Sequence, residues 1–412
     1  MLHLDIKDYA MWIYLGMFLL ASAITLYAIP SIILVSKKKR LLDKPDHRKK
    51  HKNVTPNLGG VAIFSAFVFV VCLFNIGNYL SAWEYILGST FLLFVTGLKD
   101  DLVALDPYKK FGAQFIAALI IVLLADIRLN GLHGFFGIQE YPYILSIVLS
   151  VIGVAFVTNA FNLIDGVDGL AGGISLLIFS FYGIIFAMNH DYGLAMASFT
   201  LTGTIVGFLR YNINPAKIFM GDTGSLILGF MAAALSIAFV QRINNHSENS
   251  VLRYVFASDG SLAVALAAII VPVYDTFRVF TLRILKGFSP FHPDRTHIHH
   301  VLLDCGFNPN QVSLTLSCVT LFFIAGTLSM VSLQIPNTVV ILSIIACASG
   351  LILIATKVRN KKVAARKLLR KRQEEAKLLS PLYDDYLNSL LQKTSDELIT
   401  NSEGTTAYLK KR

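Results

Sequence analysis

Long apolar runs separated by short polar segments recur along nearly the whole chain. Their spacing predicts about eleven helices, at 11–35, 58–77, 83–98, 110–126, 143–161, 170–188, 194–209, 224–240, 261–282, 312–333 and 336–355. Most hold roughly 16 to 24 residues, about what a 30 Å hydrocarbon layer demands of a helix. No soluble domain of ordinary size fits between them. The first run, from about Met11 to Val35, follows Asp5, Lys7 and Asp8 and is too long for the core of a signal peptide, so it reads as a permanent helix. The expected fold class is an all-α polytopic membrane protein.

The basic residues orient this bundle. One block, 37–52, follows the first run and another, 357–372, follows the last. Placing the first block on the cytoplasmic side puts the amino terminus outside and, with an odd number of spans, the carboxyl terminus in the cytoplasm. Only Lys7, Arg128, Arg242 and Arg253 of the 36 basic residues then lie outside. The acids Asp100, Asp101, Asp165, Asp168, Asp222, Asp275 and Asp294 were not used to set this orientation. All of them fall on the cytoplasmic side, as do His297, His299 and His300, and a single cytoplasmic site is the economical expectation.

Composition agrees with the pattern. Of 412 residues 55% are hydrophobic and 15% charged, against about a quarter charged in ordinary globular proteins. A net charge of +10 raises nucleic acid as a partner. Both basic blocks abut membrane helices, however, so the lipid bilayer and its anionic head groups explain them better. Cys72, Cys305, Cys318 and Cys347 have no metal-binding spacing and read as small apolar residues. Two domains follow: a transmembrane catalytic domain, 1–355, and a basic cytoplasmic tail, 356–412. The tail's basic part suits an amphipathic helix on the membrane surface, and its polar end, 380–412, is expected to be disordered.

Five polar segments carry chemistry. Asp100 and Asp101 end the third run; neighbouring carboxylates face different sides of a helix, which allows a base beside a partner for a metal or lysine, or simply a solvated interfacial pair. Asn162, Asp165 and Asp168 recur every third residue, which on a helix stacks them on one side and offers hard oxygen ligands to Mg²⁺. A helix cap above a glycine-rich packing seam would give the same pattern. In Phe219-Met220-Gly221-Asp222-Thr223-Gly224-Ser225, Asp222 and the amides after it open a helix and could serve a metal-bound diphosphate; Asp222 could equally be an N-cap. Phe219 could stack a base or pack. The loop from Pro290 to His300 is rich in imidazole. Zinc is disfavoured there by the absence of a cysteine cluster and by Arg295, leaving phosphate or sugar contact, or a plain polar loop. The stretch holding Arg48 and His51, followed by Pro56-Asn57-Leu58-Gly59-Gly60, would meet an anionic head group or act only as a positive-inside signal.

In this order and over roughly residues 10–355, these motifs resemble the polyprenyl-phosphate N-acetylhexosamine-1-phosphate transferase superfamily, whose members include the lipid I-forming enzyme. The resemblance implies that enzyme's fold and a Mg²⁺-dependent transfer, with Mn²⁺ as a substitute. The moved group would be N-acetylglucosamine 1-phosphate or a related N-acetylhexosamine 1-phosphate. It would pass from a UDP-sugar to undecaprenyl phosphate in the bacterial plasma (inner) membrane, with release of UMP. This would be the first membrane step of a surface polysaccharide, and a homodimer is a further expectation. Asp222 would hold the metal with Asn162 or Asp165. Asp100 would deprotonate or orient the lipid phosphate, supported by Asp101, and Lys110 would lie near the phosphates. Asp168 and Phe219 would lie near the uridine, with Arg295, His297, His299 and His300 near the phosphate or sugar. The loop His297-Ile298-His299-His300 is similar to the branch using UDP-N-acetylglucosamine; the lipid I-forming activity is the alternative. Direct attack by the lipid phosphate is favoured over a covalent intermediate.

Without the resemblance, an ion-coupled transporter is the main rival, but it calls for acids at mid-span rather than at span ends. An intramembrane aspartyl protease fits poorly, since Tyr274-Asp275 and Gly221-Asp222 occur in reversed order and the Gly-x-Gly-Asp pattern is broken.

Overall fold

The computed structural model describes residues 6–41, 55–246, 250–256, 260–290, 292 and 294–409. These form thirteen α-helices and no strand. In chain order they are α1 (Ile6–Lys39), α2 (Gly59–Leu73), α3 (Trp83–Leu102), α4 (Pro107–Leu123), α5 (Tyr143–Ile164), α6 (Leu170–Met188) and α7 (Tyr192–Asn212). There follow α8 (Gly221–His246), α9 (Ser250–Val255), α10 (Ser261–Leu285), α11 (Ile298–Asp304), α12 (Pro309–Ser332) and α13 (Asn337–Leu409). Each of the eleven expected runs is a helix, and α9 and α11 are short additions. Eight helices, α1, α5, α6, α7, α8, α10, α12 and α13, are long and apolar enough to cross a membrane, as a polytopic membrane protein requires. Of the other three, α2 and α4 have 15 and 17 residues, and α3 ends in Lys99-Asp100-Asp101.

Local chemistry sets several boundaries. Asp106 caps α4 by accepting the amide hydrogen of Tyr108 at 2.8 Å, and Pro107 occupies the first helical position. Asn308 and Gln311 form a reciprocal capping box at the start of α12.

Residues 1–353 make one compact unit. Its axis is α8, buried without interruption from Thr223 to Val240 and packed against α2, α3, α5, α6 and α10. Around it, α7 satisfies its polar side chains internally: the hydroxyls of Ser198, Thr200 and Thr202 each donate to the carbonyl four residues back. Large apolar side chains such as Trp12, Tyr27, Phe69 and Phe322 are exposed, as a lipid-facing surface requires.

Residues 354–412 form a second unit, whose basic positions from Lys357 to Arg372 are mostly exposed. Where the polar composition of 380–412 predicts disorder, α13 is helical as far as Leu409. Low apolar content forecasts that the segment buries little, which is a different matter from whether it coils. Lys, Arg, Glu, Leu and Ala, all strong helix formers, dominate 357–379, and Lys371 pairs with Glu375 one turn on.

Candidate active site

Four helices bring one end each to a common point. The α3 carboxyl end supplies Asp100 and Asp101, the α4 amino end Lys110, the α5 carboxyl end Asn162 and the α8 amino end Asp222. The Lys110 ammonium donates to Asp100 Oδ2 at 3.2 Å, to Asn162 Oδ1 at 3.1 Å and to the Asp222 carboxylate. The Asn162 amide donates in turn to Asp222 Oδ1 at 2.7 Å and to Ser225 Oγ at 2.9 Å. Asp222 is not the N-cap: α8 already begins at Gly221, and the Asp222 carboxylate is bonded by Lys110 and Asn162.

The capping is done from another helix. Asp101 Oδ1 accepts the Asp222 amide hydrogen at 2.8 Å, and Oδ2 accepts the Thr223 amide at 3.0 Å and the Thr223 hydroxyl at 2.6 Å. Asn57 also donates to Asp101, through Nδ2 to its carbonyl and to Oδ1. Of the amides after Asp222 that the sequence pattern offers to a diphosphate, that of Thr223 is thus already closed by a carboxylate, as is the amide of Asp222 itself. Close backbone approach makes this possible. A Cβ on Gly60 would sit 2.1 Å from the Gly224 nitrogen, and one on Gly97 would sit 2.5 Å from the Thr223 Cα. The segment before α2 is tied to the same turn, because Phe219 N donates to Pro56 O while Gly59 N and Gly60 N donate to Phe219 O and Met220 O.

The spacing of Asn162, Asp165 and Asp168 does not stack them on a helix. α5 ends at Ile164, Asp165 is its C-cap, and Gly169 takes a left-handed φ of +74°. Asn162 therefore reaches Asp222. Asp168, 4% exposed, instead accepts the Ala216 amide at 3.2 Å and braces the loop between α7 and α8. Phe219 is half-buried in that loop. Asp165 stays between the two groups, where burial and then the nearby charges of Asp101 and Asp168 hold its carboxyl well above the ordinary range.

The histidine loop is anchored by α10. Arg283 grips Asp294 through Nε at 3.2 Å and a terminal nitrogen at 2.9 Å. Burial opposes ionisation of Asp294, but the hydrogen bonds from Arg283 and Thr296 outweigh it and hold the carboxyl far below its usual range. Arg278 donates to the Thr296 carbonyl at 2.6 Å. His299 lies on the 162–169 turn, where a Cβ on Gly166 would fall 2.7 Å from its Nε2. Burial, then the neighbouring His300, lowers the His299 pKa to about 3. Burial, then Arg295, lowers that of His300 to about 4. Both rings are neutral at physiological pH. Arg295 is exposed and turned towards Asp304 at 3.8 Å. Arg48 and His51 lie outside the described residues. The side chains of Asn57, Thr223 and Ser225 belong to the arrangement although the sequence pattern gave these side chains no role, and Asp275 joins it through His297. Asn57 sits in a quoted motif, but nothing local shows that it meets Asp101.

The donor set suits a hard cation. Oxygens of Asp100, Asn162 and Asp222, from three helices, converge on one ammonium, and the same oxygens could hold a small divalent ion. Among the described residues no group of three or more His, Cys, Asp or Glu side chains is placed to hold a metal ion. Mg²⁺ needs none, since it commonly takes one or two carboxylates and completes its shell with water and phosphate.

Residues 83–240, which contain all of the carboxylate cluster, match the model of glycosyl transferase family 4. The undecaprenyl-phosphate alpha-N-acetylglucosaminyl 1-phosphate transferase of Yersinia pestis is 31% identical over 293 residues, 69% of this chain and 76% of that protein. The protein of the same name from Escherichia coli O157:H7 is 30% identical over 318 residues, 74% of this chain and 81% of its own. The decaprenyl-phosphate N-acetylglucosaminephosphotransferase of Mycobacterium leprae is 31% identical over 317 residues, covering 72% and 78%. With likeness of this degree along most of the length of such relatives, and with the clustered helix ends inside the matched region, the chain belongs to glycosyl transferase family 4.

Proposed function

We propose that the protein transfers N-acetylglucosamine 1-phosphate from UDP-N-acetylglucosamine to undecaprenyl phosphate, releasing UMP, at the cytoplasmic face of a bacterial plasma membrane. The observation that carries this reading is the convergence of Asp100, Asn162 and Asp222 on the Lys110 ammonium at one end of the bundle. The relatives' names supply the substrates. Eleven apolar runs, with the basic block after the first of them, are the grounds for an amino terminus outside, and the product would begin a cell-surface polysaccharide.

In the reaction, an oxygen of the lipid phosphate attacks the sugar-bearing phosphorus of the donor, and the bond from that phosphorus to the UMP oxygen breaks. Alignment and charge neutralisation do most of the work in such a transfer. Lys110 is placed to pass from its carboxylate partners to incoming phosphate oxygens. Asp100, which shares that ammonium, is placed to accept a hydrogen bond or proton from the lipid phosphate. Asp101 acts by holding the α8 turn that carries Asp222. Asp222 and Asn162, with Asp165, would hold Mg²⁺, or Mn²⁺ in its place, and the bound ion would supply positive charge at the donor diphosphate.

The test is UMP release by the purified protein in detergent with undecaprenyl phosphate and a panel of UDP-sugars. Turnover with UDP-N-acetylglucosamine is expected, and Asp222→Asn should lower it by about 10²-fold or more while the protein still inserts. Near-normal turnover in that variant removes Asp222 from the mechanism. Preference for UDP-N-acetylmuramoyl-pentapeptide overturns the donor assignment.

A further inference from the structure

Asp275 lies on α10, away from the carboxylate cluster, and is 2% exposed. Its two oxygens take three donors. Oδ1 accepts from Arg278 at 2.8 Å and from the Ile298 amide at 3.0 Å, and Oδ2 meets His297 Nδ1 at 2.9 Å. The carboxylate side of that last contact is an acceptor, so the imidazole keeps its proton on Nδ1. In the neutral ring the other nitrogen, Nε2, is then a bare acceptor. His297 is 5% exposed, and its Nε2 is buried with no hydrogen-bond partner among the described residues.

A buried ring nitrogen without a partner costs free energy unless a ligand satisfies it. Its surroundings belong to the site. The His297 ring stacks parallel to that of His299, with centroids 5.7 Å apart and planes at 9°. His299 in turn rests on Gly166 in the turn that follows Asn162. A nucleotide-sugar bound against that turn offers N–H and O–H groups, and a neutral imidazole acceptor suits them.

We propose that Asp275 is a positioning residue for donor recognition. It fixes the tautomer and direction of His297 so that Nε2 accepts a hydrogen bond from an N–H or O–H of the nucleotide-sugar. The same carboxylate pins the Ile298 amide and so seats the ring's backbone. The inference rests on the donor reading given above.

The experiment is steady-state kinetics of the full-length protein in detergent, varying UDP-N-acetylglucosamine and undecaprenyl phosphate in turn. Asp275→Asn keeps the side chain's size but lets an amide hydrogen compete for the ring. It is expected to raise the KM for the UDP-sugar by roughly tenfold, the scale of one hydrogen bond to a buried partner, and to leave the KM for the lipid unchanged. His297→Gln should behave alike, and the double variant should be no worse than His297→Gln alone, since the two act as one unit. Additive effects, an unchanged donor KM, or equal rises in both KM values would overturn the proposal. If Asp275→Asn does not accumulate, His297→Gln decides alone, because it leaves the Asp275 contacts to Arg278 and Ile298 in place; an unchanged donor KM in that variant sinks the idea. Failure of the wild-type protein to release UMP would instead refute the transferase reading, so the two failures are distinguishable.

Discussion

Asp101 and Asp222 carry the same charge in neighbouring motifs and do different things. Asp222 faces the ammonium of Lys110, whereas Asp101 spends both oxygens on the first amides of α8 and on Thr223. Removing Asp101 should therefore harm the site through geometry rather than through lost charge. Asp101→Ala is expected to destabilise the detergent-solubilised protein by about 1–3 kcal/mol, the cost of leaving buried amide donors unsatisfied. UMP release should fall although Asp222 remains. Thermal unfolding beside turnover measures both, and a variant with normal stability and activity would contradict the clamp. His299 gives a pH prediction. Its pKa falls from an ordinary 6.5 to about 3 on folding, so below about pH 6.5 the unfolded chain binds the extra proton and the folded one resists it. The stability from its neutral burial is whole above that pH and is lost as pH falls towards the folded value. The melting temperature should drop between pH 7 and pH 5, and His299→Gln should flatten that drop. Asp100, Asp165 and Asp222 were legible as candidates because isolated acids in an apolar chain stand out. The partnership of Asp275 with His297 was not, since residues 22 positions apart on separate elements carry no shared local signal.

At the scale of elements, apolar run length found every long helix, because lipid-spanning helices leave a composition that local reading detects. Pairing between helices left no such trace. The glycines of Asn57-Leu58-Gly59-Gly60 looked like part of a loop motif, yet Gly60 is where α2 touches the first turn of α8. Gly60→Ala places a methyl group 2.1 Å from the Gly224 nitrogen, against backbone that cannot step aside. Overpacking of this kind costs about 1–3 kcal/mol, and here it also displaces Asp222, so melting temperature and turnover should fall together. Gly112→Ala is the matched control. It lies inside α4 with nothing within 4 Å of the new methyl, so stability should hold or rise by up to about 1 kcal/mol. Equal losses in the two variants would show that the close approach of α2 to α8 is unimportant. Periodicity also misled at one boundary: Asn162, Asp165 and Asp168 have helical spacing, but α5 stops at Ile164 and the left-handed Gly169 sends Asp168 towards the α7–α8 loop.

Across the whole molecule, every chemically active segment sits where one helix ends and the next begins, on alternate connections of the bundle. This much was legible in the sequence because the polar motifs stand at the ends of apolar runs, where composition changes abruptly. The arrangement around α8 has a further effect on how the protein responds to its surroundings. A helix amino end ordinarily draws anions with its own free amides, but here Asp101 has taken two of them, those of Asp222 and Thr223, so that attraction is weakened before any nucleotide arrives. A doubly charged diphosphate therefore meets several carboxylates and one ammonium. With the Mg²⁺ of the proposed function, its capture would be a coupled equilibrium in which the free concentration of divalent ion sets the apparent affinity for the nucleotide. Titrating Mg²⁺ down with a chelator should raise the donor KM progressively before maximal turnover is lost, and a donor KM indifferent to Mg²⁺ would mean that the closed helix end is compensated elsewhere. Under the proposed function the enzyme's rate in a cell would then be tied to the supply of divalent ion as closely as to the supply of sugar nucleotide.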